Sequence, residues 1–107
     1  MTKVEIFNHD GRISGFAVTG HSGYAEEGSD IVCAAVSSAV KFAECTINDV
    51  FGNHANTKVN PDGPCITLTL PALCDDEDAV QAVLTGFMLT MCSLRDEYPD
   101  YIEVMEV

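Results

Sequence analysis

The sequence predicts a single α+β domain over residues 1–107, with its elements in the order ββαββαβ. Three patterns predict it. Short apolar–polar alternations mark strands with one buried face. Two longer stretches repeat their apolar residues at helical spacing. Gly-, Asn- and Pro-rich turn signals separate these stretches. Together they give a mostly antiparallel sheet with two helices packed on it. A chain of 107 residues buries roughly two thirds of the surface that its unfolded form exposes, enough for a core without staples.

Residues 4–7 and 13–18 read as two strands joined by Asn8-His9-Asp10-Gly11. Asp-Gly tolerates the positive φ that a tight hairpin requires. A loop over residues 20–29 follows, with Gly20, Gly23 and Gly28 opening backbone shapes closed to other residues. A helix is expected from Asp30, a good N-cap, to about Phe51, with Gly52 as its stop. Val32, Val36, Ala39, Ala43, Ile47 and Val50 form its apolar stripe, and Ser37, Lys41, Glu44 and Asn48 a polar one. A second hairpin places strands at 55–59 and 65–70 around the turn signal Asn60-Pro61-Asp62-Gly63-Pro64, and Pro71 ends it. The acidic run at 75–78 suits the first turn of a helix, where carboxylates oppose the positive end of the dipole. Val80, Val83, Leu84, Phe87, Met88, Met91 and Leu94 then recur at helical spacing and read as core. Pro99 separates this helix from a last strand at 101–107.

Composition narrows the function. Seventeen acidic residues against five basic ones leave a net charge of -12. Phosphate binding needs Lys and Arg, so nucleic acid is a poor partner. The charge suits a basic protein partner, and it equally suits solubility alone. No run of about 18 apolar residues marks a membrane span, and residues 1–5 lack the apolar segment of a signal peptide. The cytoplasm is the expected address. Cys33, Cys45, Cys65, Cys74 and Cys92 are odd in number, and no pair has C-x-x-C spacing. That argues against a disulfide framework and a Cys-rich zinc site, and neither a metal nor another cofactor is expected.

The chemistry points to His21 and Cys33. With Asp30 as N-cap, Cys33 is the third helical residue, near unpaired N–H groups that favour its thiolate, the nucleophilic form. An imidazole on the loop that folds against this helix start favours it further and protonates a leaving amine. Asp30 then caps the helix, orients the imidazole, or does both. Ser37 follows Cys33 at i+4 on the same helix face. Equally, a cysteine on an Ala- and Val-rich helix serves as core, and a loop histidine as a solvated polar residue. A cysteine-based phosphatase is excluded, because residues 34–40 hold no Arg or Lys to cradle a phosphate. His21, Glu26, Glu27, Asp30 and Cys33 match no usual zinc spacing.

Gly20-His21, the run Gly28-Ser29-Asp30-Ile31-Val32-Cys33-Ala34-Ala35, and Ser37 resemble the signature of the ribosomal-processing cysteine proteases, the Prp family. The chain length, the two strands before the loop and the acidic second helix resemble it too. Ser22 departs from the pattern, where many members carry Ala. The resemblance implies a cytoplasmic, homodimeric endopeptidase. Its implied substrate is the precursor of bacterial large-subunit ribosomal protein twenty-seven, from which it removes an N-terminal extension. It implies Cys33 as nucleophile and His21 as base, with Asp30 and Ser37 at positions where the family keeps Asp and Ser. Gly20, Ser22, Gly23 and Gly28 would form the loop that admits the peptide. The competing readings are a non-catalytic acidic chaperone for a basic ribosomal protein, and a redox-sensing thiol at Cys33.

Overall fold

A computed structural model describes residues 1–20, 27–60 and 65–107, with the backbone alone for 27–30. The expected loop residues His21, Ser22 and Gly23, and the turn at 61–64, lie outside the described residues. The elements are β1 (Thr2–His9), β2 (Arg12–Thr19), α1 (Glu27–Cys45), β3 (Asn56–Asn60), β4 (Cys65–Thr69), α2 (Glu77–Glu97) and β5 (Ile102–Glu106). A π-helical segment, Thr46–Val50, prolongs α1. The sheet order is β3-β4-β2-β1-β5. β1 pairs in parallel with β5, and the other three pairings are antiparallel. This is the expected α+β domain with the expected order of elements.

The hairpin between β1 and β2 turns through Asp10 at φ 52° and Gly11 at φ 86°. The Gly11 N–H donates to Asn8 Oδ1 at 3.1 Å. Beyond the turn, Phe7 pairs with Gly15 and Asn8 with Ile13, so Ser14 is an extra residue in β2. That bulge brings Ile13 and Phe16, three residues apart, both into the core. Gly15 allows a close approach, because a Cβ there would meet Leu68 O at 2.0 Å.

One sheet face carries Val4, Ile6, Phe16 and Leu68, all buried. Against it pack Val32, Val36, Val40, Ala43 and Ile47 of α1 and its prolongation, with Val80, Leu84, Phe87 and Met91 of α2. The Phe16 and Phe87 rings stack with centroids 4.2 Å apart. The stretch Ile31–Val50 is long and apolar enough to cross a membrane, which the sequence reading did not anticipate. Val32, Val36, Val40, Ala43 and Ile47 bury one stripe of it against the sheet, whereas Ile31, Phe42 and Val50 stand exposed.

Two expectations for α1 are corrected. The helix begins at Glu27, so Asp30 is its fourth residue and not the cap before it. Val50 is 69% exposed and leaves the apolar stripe. Past Ile47 the backbone bonds widen, with the Phe51 N–H donating to Thr46 O at 3.1 Å. The 3.6-residue period therefore ends there, and Phe51 packs against the core instead. Gly52 at φ 72° closes the element, as expected.

Side-chain amides tie the segments together. Asn48 holds both backbone groups of Ala55, and Asn53 holds both of Asp75. Gln81 does the same for Ile13 beside the bulge, with both distances 2.8 Å. Arg12 pairs with Glu77 and donates to Pro71 O at 3.0 Å, which fixes the first hairpin to the start of α2.

Candidate active site

Cys33 is half-buried on α1, beside the fully buried Val32. Its thiol lines a cavity of about 270 Å³ whose other walls are Thr2, Val18, Val36, Ser37, Val59, Cys65 and Ile66. The walls come from β1, β2, β3, β4 and α1, so the sheet and the helix both position the thiol. Val18 and Ile66 are register partners across β2 and β4, which makes the floor apolar. The cavity therefore presents a thiol beside an apolar recess, an arrangement that receives a non-polar side chain.

Cys33 is the seventh residue of α1, nearly two turns from its start at Glu27. The dipole effect falls off within the first turn. The expectation that helix-start N–H groups stabilise its thiolate is thereby corrected. Positions 30, 33 and 37 instead follow the i, i+3, i+7 spacing of one helix face. Ser37 is exposed at the cavity wall. Gly28 and Asp30 belong to the first turn of α1. His21, Ser22 and Gly23 lie outside the described residues.

Gly20 is the described residue nearest that loop. Its φ is 79°, and a Cβ on it would meet Met1 O at 2.2 Å. Only glycine fits there on both counts. Thr2 was not singled out by sequence. It is 5% exposed, and its Oγ1 lies 3.9 Å from Cys33 Sγ. Cys65 reaches the same cavity through the register of β2 and β4, which pairs it with Thr19. No sequence spacing signals either residue, because strand register created both contacts. Cys74 is different in kind. Burial, and then the neighbouring Glu77 carboxylate, pushes its thiol above the ordinary range.

The family model described as "Cysteine protease Prp" matches residues 1–103. The chain belongs to the cysteine protease Prp family. It is a cysteine protease by that membership. The ribosomal processing cysteine protease Prp of Bacillus subtilis is 28% identical over 99 residues, covering 91% of this chain and 88% of that protein. The protein of the same name from Staphylococcus aureus is 26% identical over 106 residues, covering 97% of each. The crystal structure of the S. aureus Prp with a substrate peptide superposes with a TM-score of 0.88 at 20% identity over the whole of both chains. A Streptococcus mutans structure gives 0.90 at 23% identity over all of this chain and 94% of that one. These likenesses bear out the α+β fold of the Prp structures.

Proposed function

We propose that this protein is an endopeptidase of ribosome assembly. It removes the N-terminal extension of large-subunit ribosomal protein twenty-seven. The observation that carries this reading is the Cys33 thiol on the wall of an apolar cavity in a chain of the Prp family. The Bacillus and Staphylococcus relatives, which are named for ribosomal processing, support the substrate class.

In this reading Cys33 Sγ, as the thiolate, attacks the scissile carbonyl carbon. His21 holds the thiol proton and delivers it to the leaving amine of the mature protein. The extension stays on Cys33 as a thioester. Water, giving its proton to His21, then releases the extension as a new carboxylate. Asp30 orients the imidazole and Ser37 contacts the peptide beside the cavity. Gly20, Ser22 and Gly23 belong to the loop that admits the chain, and Gly28 to the helix start behind it. The enzyme works as a cytoplasmic homodimer. Exposed Phe42 and Leu89, on the outer faces of α1 and α2, support self-association and are testable by light scattering.

Incubation with the precursor, followed by intact mass, tests the reading. A shortened product with wild type and none with Cys33→Ala is the expected result. An unchanged mass with tight binding would favour the acidic chaperone, a reading that the -12 charge also suits.

A further inference from the structure

We infer that Thr2 is a positioning residue for the Cys33 thiolate, an inference that rests on Cys33 as nucleophile. Thr2 Oγ1 and Cys33 Sγ are 3.9 Å apart in the buried wall of the cavity. Either group can donate while the thiol keeps its proton. Once the thiol ionises, sulfur has only lone pairs, and the hydroxyl is the one partner of the two with a proton to give. A donor aimed at the charged form favours that form. The contact therefore strengthens in the state that attacks the substrate.

The hydroxyl is held firmly enough for this work. The Thr2 N–H donates to Tyr101 O at 2.9 Å, and Thr2 pairs with Ile102 in the parallel ladder of β1 and β5. The residue is backed on the chain's first peptide by Gly20, whose Cα packs against Met1 O. One short stretch, residues 1–3, thus touches Cys33 on one side and the residue preceding His21 on the other. A strand end that braces both gives the nucleophile and the loop a common frame.

Among the described residues lining the cavity, the other titratable group is the Cys65 thiol on β4. Its Sγ lies 3.6 Å from Thr67 Oγ1. β1 also carries Lys3 and Glu5, which alternate with Thr2 and Val4 and so stand on the opposite face of the sheet from the cavity.

The test labels the intact protein with iodoacetamide and follows Cys33 by peptide mapping across pH, in a Cys65→Ser background. Thr2→Val keeps the shape and removes the hydroxyl. Thr2→Ala removes it without branching and covers any distortion by valine. Both should slow Cys33 labelling about severalfold near pH 7, and Thr2→Ser should restore it. Curves for Val and Ala that superpose on wild type would overturn the inference. So would a Ser curve that follows Val. Cleavage of the precursor by Cys33→Ala is a separate outcome: it would remove Cys33 as nucleophile, whereas the labelling curves read the hydroxyl–thiol coupling directly.

Discussion

Gly20 and Gly11 both hold positive φ, but they differ in what surrounds them. A Cβ on Gly11 meets nothing within 4 Å, whereas one on Gly20 meets Met1 O at 2.2 Å. Gly11→Ala should lose about 1 kcal/mol, from backbone strain alone. Gly20→Ala should lose more, about 2–4 kcal/mol, because the strand end must also move. Urea denaturation of both variants measures the difference. Equal losses would mean that the first residues yield easily. Glu77 supplies a second residue-scale outcome. Its hydrogen bond to Arg12 holds its carboxyl below the ordinary value of 4.5. A depressed carboxylate stabilises the fold above its unfolded value and loses that contribution as pH falls through the folded one. The gap in Tm between wild type and Glu77→Gln should be open at about pH 6 and close below about pH 4.5. A gap that stays constant would assign the pair no electrostatic role.

At the scale of elements, the amide clamps decide how helices meet loops. Asn53 is 6% exposed and satisfies both backbone groups of Asp75, just before α2. Asn53→Ala leaves those groups unpaired and should destabilise the protein by about 1–3 kcal/mol. Ser38→Ala, on the exposed side of α1, should stay within about 0.5 kcal/mol. Denaturant midpoints compare them. The elements themselves were legible in the sequence, because alternation and helical spacing are local signals. Asp10-Gly11 and Gly52 turned the chain where their chemistry demanded. The start of α1 was misread because Asp30 caps well by type, yet the helix extends one turn further toward Glu27. Val50 was misplaced because nothing in a 3.6-residue pattern announces a π-helical turn. Cys33 was legible as a candidate nucleophile from its motif. Thr2 was not, since only the register of β1 against β2, with Val4 beside Val18, brings it into the wall around that thiol.

At the scale of the whole molecule, the -12 charge acts on any basic partner before contact is made. Exposed charges more than about 8 Å apart are largely screened at 0.15 M salt, and steering shows in the on-rate. kcat/KM for the precursor should therefore fall between low and high salt. A short neutral peptide spanning the cleavage site should respond much less. Parallel salt curves for the two substrates would confine the acidic surface to solubility. A different consequence follows from the parallel pairing of β1 with β5, where Val4 stands beside Val104. A ribosome emits β1 well before β5, and chains generally begin folding from the N-terminal side. Until β5 is made, then, the strand that braces Cys33 has one edge open, waiting for a partner emitted much later. Such distant pairings form slowly. A copy without β5 lacks the finished frame around its thiol, and peptide cleavage becomes a property that the polypeptide acquires only once that strand has been made and docked.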